Sequence, residues 1–194
     1  MCASGIETGY LIKQGADVVG VDISKKNVEE YSKRWGKPCF LNSIHKTNFS
    51  DNSFDAIYIC GGLHHVLPLL KQTIIEIHRI LKPGGLFYFM EPNKDTWVNK
   101  IRKLWYKIDS KFTDDEEAIS YKNTLKPLLD IGFDEKSINY GGNIAYIVIG
   151  QSLTLGIPQK YKRYLSPVSF FLERILTRLP IIPKLFFTAV WEKN

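Results

Sequence analysis

The sequence predicts an α/β fold built on a mostly parallel sheet. Three observations support this fold class: short apolar runs alternate with segments of helical period, the strand-like runs are apolar throughout, and turn-forming residues separate the two kinds of segment. Strands that are apolar on both faces are typical of parallel sheets covered by helices. A chain of 194 residues suffices for one hydrophobic core and is short for two, so we expect a single domain over residues 1–194.

The first half of the chain gives the clearest elements. A helix over residues 70–81 is well defined, because its apolar residues recur at the 3.6-residue period and Lys82-Pro83-Gly84-Gly85 follows it. Ser24 is a favourable N-cap for the helix that it precedes. The elements predicted in this half are a helix at 6–14, a strand at 17–21, a helix at 24–35, strands at 39–41 and 54–60, a helix at 70–81 and a strand at 86–90.

The second half has a looser pattern. We expect an amphipathic helix over residues 98–108 and a helix that starts near the acidic residues 114–117, since carboxylates favour the positive end of a helix dipole. Strands are predicted at 135–140 and 185–191. Between them, residues 143–182 are longer than a simple connection, and an amphipathic helix is predicted within this segment at 167–178.

Composition and charge exclude several classes of protein. The net charge is +6, and residues 143–194 carry seven basic residues and two acidic ones. Nucleic acid binding is not predicted, because the basic residues are mixed with apolar runs and no binding motif is present. The three cysteines have no metal-ligand spacing, so we predict no metal site and free thiols in a reducing cytoplasm. The first ten residues do not have the pattern of a secretory signal.

Two segments point to a nucleoside ligand. Residues 2–5 (Cys-Ala-Ser-Gly) form a small-residue turn directly before a helix, where backbone can approach a ligand closely. Asp22 ends the next strand about 20 residues further on, where a carboxylate can accept hydrogen bonds from both ribose hydroxyls. Each segment also has a plain structural explanation, as a strand-to-helix turn and as a cap of the following helix. Together they favour nucleoside binding.

A third set of motifs points to a specific family of proteins. The chain contains Asp-Asn-Ser-Phe-Asp at 51–55, Gly-Gly-Leu-His-His-Val at 61–66 and Leu-Lys-Pro-Gly-Gly at 81–85. This ordered set resembles the class I S-adenosylmethionine-dependent methyltransferases, in particular the type 11 and ubiquinone-methyltransferase-like group. The resemblance runs from Cys2 to about Asn93 and continues weakly to residues 132–133. It implies a Rossmann-like, doubly wound sheet with one antiparallel strand and a helical C-terminal insertion.

The resemblance also implies the residues that contact S-adenosylmethionine. Asp22 matches the residue that binds the ribose, and Ser43 stands where the family commonly has an acid beside the adenine. The full set of implied cofactor-binding positions is Ala3, Gly5, Asp22, Ile23, Ser43, Ile44, Cys60, Gly61 and Leu63.

Methyl transfer from a sulfonium is an in-line displacement, so alignment of the reactants is the main task of the enzyme. A base is needed only when the acceptor must lose a proton. His64 and His65 are candidates, because histidine titrates near neutral pH, and Glu91 at the end of a strand is another. The alternative for His65 is that it only packs against or caps the helix that it begins.

The start of the chain departs from the family pattern. Members of the family begin the domain with a strand and an acid-x-Gly that lead into the glycine loop, and Met1 stands where the first glycine of that loop is expected. Without this central strand, its two neighbours would lie about 9–10 Å apart, which is too far for hydrogen bonding. We therefore expect this chain to fold marginally and to bind the cofactor weakly.

The functional prediction is methyl transfer to a small-molecule, lipid or lipid-linked acceptor. Residues 143–182 are interpreted either as a lid over the substrate crevice or as a basic, apolar surface that touches the inner face of a membrane from the cytoplasm. Two other functions remain open at this point. One is a catalytically impaired methyltransferase-like binding protein or truncated remnant, and the other is a nicotinamide-dependent oxidoreductase.

Overall fold

The structure, a computed structural model, describes residues 1–3, 5, 6, 8–100, 117–150 and 155–194. Its main helices and strands follow one another in the predicted order. They are α1 (Thr8–Lys13), β1 (Gly20–Asp22), α2 (Lys25–Trp35), β2 (Cys39–Leu41), β3 (Phe54–Cys60), α3 (Leu70–Ile80), β4 (Leu81–Pro92), β5 (Phe133–Gly141), α4 (Gln159–Leu176) and β6 (Phe186–Lys193). Short 3₁₀ or π turns lie at Leu63–Leu69, Tyr121–Leu125, Lys126–Ile131 and Tyr146–Gly150.

The strands form two separate sheets. β1 pairs with β2 in parallel, and the larger sheet has the order β3-β4-β6-β5. Within it β3 and β4 are parallel, while β6 runs antiparallel to both of its neighbours. The predicted α/β fold with one antiparallel strand is confirmed, and α4 is the predicted helical insertion before the last strand. Among the described residues, no strand joins β1 to β3 by hydrogen bonds, so the sheet has the gap that the sequence predicted.

Local capping explains the helix that follows β1. The hydroxyl of Ser24 accepts a hydrogen bond from the N–H of Asn27 at 3.4 Å, which satisfies one of the free amide donors of the first turn. Gly36 ends α2 in the left-handed region, with φ 60°, and donates its N–H to Ser32. These contacts confirm the predicted helix and place Asp22, at the end of β1, beside the first turn of α2.

Several element boundaries differ from the prediction. β1 is Gly20–Asp22 rather than 17–21, β5 is Phe133–Gly141 rather than 135–140, and β6 is Phe186–Lys193 rather than 185–191. β4 starts at Leu81 rather than residue 86, because Leu81 already pairs with Phe54 and residues 82–85 are accommodated as a register shift. α1 is shorter than predicted. α4 starts at Gln159 rather than Pro167, since a proline removes one helical hydrogen bond without ending this helix. The predicted helix at 98–108 falls mostly outside the described residues, as do residues 114–116 of the acidic segment.

The main core lies between α3 and the larger sheet. Ile74 and Ile77 of α3 are fully buried, as are Phe87 and Trp191 on the two central strands. Burial of such side chains contributes about 1.5–3 kcal/mol each, so this core stabilises the sheet end on which the candidate site is built. Coverage of the strands is uneven, and the expectation that both faces are covered is wrong in part. The cross-strand neighbours Tyr58 and Tyr88 are 47% and 38% exposed.

Candidate functional site

The candidate residues lie at the carboxyl ends of the parallel strands. Asp22 is the last residue of β1, and Gly61 directly follows β3. Glu91 is the second-last residue of β4. Ser43 follows β2 after one intervening residue. In open α/β sheets, ligands bind in the crevice outside these strand ends. The fold therefore brings the predicted residues to the edge where a ligand is expected.

The small-residue turn before α1 is tightly built. Ala3 and Gly5 both have positive φ angles, of 44° and 64°, and the N–H of Gly5 donates to the carbonyl of Cys2 at 2.8 Å. A Cβ at residue 5 would lie 2.6 Å from the ring of Tyr31, which is closer than packing allows. Gly5 is thus required twice, by its backbone conformation and by the buried tyrosine beneath it.

Asp22 is buried and fully hydrogen-bonded. One carboxylate oxygen accepts from the amino group of Met1 at 2.5 Å and from the N–H of Ala3 at 2.9 Å. The other accepts from the N–H of Ser24 at 2.9 Å and from the side-chain amide of Asn27 at 3.1 Å. Burial raises the pKa of Asp22, but these donors outweigh it and lower the pKa to about 2. The carboxylate is ionised, and it supports the small-residue turn and α2 together.

Ser43 and Ile44, the pair implied to contact adenine, and Ile23, another implied cofactor-binding residue, differ in their exposure. Ile23 is 73% exposed beside Asp22 and presents an apolar surface at the strand end. Ile44 is buried in the core. Ser43 and His45 are hydrogen-bonded to each other, with Oγ and Nδ1 2.7 Å apart. Ile23 and Ser43 are therefore better placed to reach a ligand than Ile44.

Glu91 organises the loop after β3. Its carboxylate is fully buried and accepts hydrogen bonds from the backbone N–H groups of Gly62 at 2.9 Å and Leu63 at 2.7 Å. The second oxygen lies 2.7 Å from Nδ1 of His64. A buried carboxylate with this many donors holds its partners in place. These contacts indicate that Glu91 positions His64, whereas the sequence predicted it only as a possible base.

The space beside Gly61 is open. Gly61 has φ 60°, and a Cβ there would meet only Cε1 of His64, at 3.8 Å. Of the two adjacent histidines, His64 has a side chain that is 14% exposed, while His65 is exposed to solvent with its ring centroid 4.0 Å from that of His64. The end of β3 therefore has room for a ligand beside Gly61, and the hydrogen-bonded imidazole of His64 lies next to this space.

A cleft lies beyond the carboxyl end of β4. Its volume is about 590 Å³, and Asn93, just beyond the end of β4, contributes to its wall. The other lining residues come from distant parts of the chain, and they are Asp95, Thr96, Trp97, Lys122, Asn123, Tyr140 and residues 180–184. Sequence reasoning missed this cleft. The only signal for it was the position of Asn93 at a strand end, because the other residues share no motif.

These observations define an α/β protein with a candidate ligand site at the carboxyl ends of its parallel strands. Comparison with known proteins points to a methyltransferase family. Residues 2–89 match a family model described as a methyltransferase domain. An uncharacterised methyltransferase of Synechocystis sp. is 33% identical over 100 residues, which cover 50% of this chain and 47% of that protein. A demethylmenaquinone methyltransferase of Staphylococcus saprophyticus is 36% identical over 101 residues, which cover 50% of this chain and 42% of that protein.

The fold agrees with this family over the whole chain. A solved S-adenosylmethionine-dependent methyltransferase from Methanosarcina mazei superposes with a TM-score of 0.67 at 17% identity, covering 99% of this chain and 89% of that one. The fold is that of the class I S-adenosylmethionine-dependent methyltransferases, and the match of residues 2–89 supports S-adenosylmethionine as the cofactor. The chain spans less than half the length of the two relatives named above. These matches favour a methyltransferase over the nicotinamide-dependent alternative.

Proposed function

We propose that this protein transfers a methyl group from S-adenosylmethionine to a small-molecule acceptor held in the cleft beside Asn93. The observation that carries the proposal is the loop after β3, which Glu91 fixes at the end of the sheet with His64 turned toward the open side of Gly61. The cofactor supplies an electrophilic methyl group on a sulfonium. The protein supplies alignment and exclusion of water, the main requirements of an in-line displacement.

The cofactor-binding roles follow from what each residue can offer. Asp22 is an ionised acceptor for ribose hydroxyls, and it also fixes the turn that contains Ala3. Ala3 and Gly5, which both have positive φ angles, would bring backbone close to the methionine part of the ligand. Ile23 offers an exposed apolar side chain to the adenine, and Ser43 offers a hydroxyl in place of the acid that the family commonly has. Cys60, Gly61 and Leu63 belong to the strand end and loop near the sulfonium.

His64 is the best-placed candidate base. Its Nδ1 lies 2.7 Å from the buried carboxylate of Glu91, and an N–H at this nitrogen leaves Nε2 as the proton acceptor. Glu91 would then set the tautomer and orientation of the ring rather than take a proton from the acceptor itself. His65 is a second candidate, since it is exposed and lies against His64. Either histidine acts only when the acceptor must be deprotonated.

The acceptor class that we favour is a lipid or lipid-linked molecule, modified by a cytoplasmic protein that touches the inner face of a membrane. Two features support this choice. Residues 143–182 contain many exposed apolar side chains, among them Tyr164, Phe171 and Ile181. One relative acts on demethylmenaquinone according to its name.

A second function is a methyltransferase-like binding protein without turnover. Asp22 favours this alternative, because Ala3, Ser24 and Asn27 already donate to its carboxylate and a ribose would have to displace or share those donors. Ser43 favours it as well, since a neutral hydroxyl at this position is a weaker acceptor than a carboxylate.

The test combines calorimetric titration with S-adenosylmethionine and transfer of a radiolabelled methyl group to a panel of quinone, phenol and lipid-linked acceptors. We expect weak but measurable binding and transfer by the wild type, and at least about a tenfold further loss of affinity in Asp22→Asn, since hydrogen bonds to a charged group contribute about 1.5–3 kcal/mol. Asp17→Asn is the matched control, because the side chain of Asp17 is 94% exposed. Binding without transfer would favour the second function, and no binding would overturn both.

A further inference from the structure

Helix α4 presents its large apolar side chains to the outside of the molecule. They recur at helical spacing and share one side of the helix, which we call the outer face of α4. Its members, each between 38% and 64% exposed, are Tyr161, Tyr164, Leu165, Val168, Phe171, Leu172 and Ile175. A helix that packs on a domain core normally buries such residues, so this orientation needs an explanation.

Polar contacts fix the helix in this orientation. One carboxylate oxygen of Glu173 accepts the backbone N–H groups of Asn143 at 3.2 Å, Ala145 at 2.7 Å and Tyr146 at 3.2 Å. The side-chain amide of Asn143 donates to the hydroxyl of Thr177 at 3.0 Å. These bonds attach the polar side of the helix to the domain. The outer face is therefore held away from the core by specific hydrogen bonds.

Basic residues border the outer face of α4. At 100° per residue, Lys160, Arg163 and Arg174 fall along one edge of the apolar stripe. Two of them lie over rings of that stripe, with Arg163 4.6 Å from the ring centroid of Tyr164 and Lys160 5.1 Å from that of Tyr161. Residues 159–184 contain six basic residues and one acid. An apolar stripe with a cationic edge complements an anionic lipid surface.

We propose that the outer face of α4 lies in the plane of an anionic bilayer, with its apolar side chains at the headgroup boundary and its basic edge on lipid phosphates. This inference rests on the proposed function and identifies the surface through which the acceptor is reached. No described helix is long and apolar enough to span a membrane. Ile181, which is 79% exposed, follows α4 and lines the cleft, so the cleft opens beside this surface.

The experiment is flotation of the purified protein with phosphatidylcholine vesicles, with and without phosphatidylglycerol. We expect binding to the anionic vesicles only, weakened by salt. Arg163→Glu with Arg174→Glu should lower the partition coefficient at least about 25-fold, since each basic residue near an anionic surface contributes about fivefold. Val168→Ser with Phe171→Ser should lower it about tenfold or more.

Matched controls come from exposed positions elsewhere. Lys25→Glu with Lys26→Glu changes the same charge on α2, and Ile75→Ser removes an apolar side chain that is 47% exposed on α3. Both controls should float like the wild type. Circular dichroism of every variant checks that the fold is kept.

The outcomes separate this inference from the proposed function. Absence of wild-type flotation, or equal loss in the controls, overturns the membrane surface whatever the calorimetry gives. A dimer in sedimentation that Val168→Ser with Phe171→Ser dissociates also overturns it, because a second copy would then cover the outer face of α4. Flotation that depends on the outer face, with no S-adenosylmethionine binding, keeps the surface and removes the proposed function.

Discussion

The carboxylate of Glu91 connects the end of β4 to the loop after β3. It accepts the N–H groups of Gly62 and Leu63 and the ring nitrogen of His64, and water has no access to it. Glu91→Gln should destabilise the protein by about 1–3 kcal/mol, because an amide cannot accept all of these donors. Methyl transfer should fall more than cofactor affinity, since the ring of His64 loses its orientation. Urea unfolding and a comparison of kcat with KM measure the two effects.

Glu29→Gln is the control for this prediction, because Glu29 is a largely exposed carboxylate on α2. Equal losses in kcat and in cofactor affinity, with no change in the pH profile of kcat, would indicate that Glu91 has only a structural role. Partial rescue by Glu91→Asp would support positioning of the imidazole.

Two glycines with similar backbone angles separate conformational strain from steric contact. Gly5 and Gly15 have φ of 64° and 86°, but only at Gly5 would a Cβ meet another residue, the ring of Tyr31 at 2.6 Å. Gly15→Ala should cost about 1–2 kcal/mol, the penalty for a left-handed alanine. Gly5→Ala should cost more and weaken S-adenosylmethionine binding, because the turn must move. Thermal unfolding and calorimetry test this, and equal effects of the two substitutions would contradict it.

Single residues differ in how far the sequence predicts their roles. Asp22 and Ser24 are predictable, because a strand end followed by a helix cap is a local signal. Glu91 could be named as a polar residue at a strand end, but its role could not be predicted. Its partners are 27 to 29 residues away, and they meet it only when β3 and β4 pair. The buried position of Ile44 likewise depends on packing between distant segments.

At the scale of elements, the attachment of α4 depends on Glu173. Glu173→Gln should weaken the three backbone hydrogen bonds from residues 143–146, since a neutral acceptor forms weaker bonds than a carboxylate. Hydrogen exchange should become faster by about tenfold in α4 and in Tyr146–Gly150, while β4 and β6 keep their protection. Mass spectrometry of exchange in peptides from each element measures this. Uniform loss of protection over the chain would contradict a local attachment.

The sequence predicts elements best where local signals agree. α2, β2 and β3 have the predicted bounds, because caps, turns and apolar runs all place their ends at the same residues. β4 starts earlier than predicted, since the pairing of Leu81 with Phe54 extends the strand across a glycine-rich turn. α4 also starts earlier, because Pro167 suggests a helix start while the helix tolerates it in its interior. The start of β4 is decided by a tertiary contact, which a local pattern does not contain.

At the scale of the whole molecule, the resemblance to a family predicted the division of the sheet, and physical pattern alone did not. The strands themselves are readable from apolar runs, but their order requires knowledge of how the family is connected. The cleft was not predicted, because its walls come from residues such as Asn93, Tyr140 and Ile181, which share no sequence signal. Global topology thus followed from the motifs, while the cleft is formed only when distant segments of the chain fold together.

A partly buried ionic cluster joins the segment after β2 to the larger half of the molecule. Glu76 of α3 accepts the N–H and hydroxyl of Thr47, at 2.7 and 2.5 Å, and pairs with Arg79 at 2.6 Å. Arg79 also donates to the carbonyl of Phe49 and to Asp51. Because β1 and β2 share no strand pairing with the larger sheet in the described structure, this cluster is one of the specific connections between the two parts.

The stability of the molecule should therefore fall in acid through this cluster. The hydrogen bond from Arg79 lowers the pKa of Glu76 to about 2, against an opposing effect of burial and with further support from Thr47. A carboxyl with a lowered folded-state pKa stabilises the protein above its unfolded pKa, near 4.5, and loses this contribution as the pH falls toward 2. Glu76→Gln should cost on the order of 2 kcal/mol at pH 7. As the pH falls from 5 to 2, the free energy of unfolding of the wild type should fall toward that of the Glu76→Gln variant.

Urea unfolding at a series of pH values tests this prediction, with Asp55→Asn as the control. Asp55 also forms an ion pair, with Lys82 at 2.7 Å, but the side chain of Asp55 is exposed. Solvent screens this pair, so the loss of the Asp55 carboxylate should have a smaller effect on stability. A difference between wild type and Glu76→Gln that stays constant from pH 7 to pH 2 would contradict the linkage, since an uncharged contribution does not titrate. A biphasic transition in Glu76→Gln, with β1 and β2 unfolding first, would support the role of this cluster in joining the two parts of the molecule.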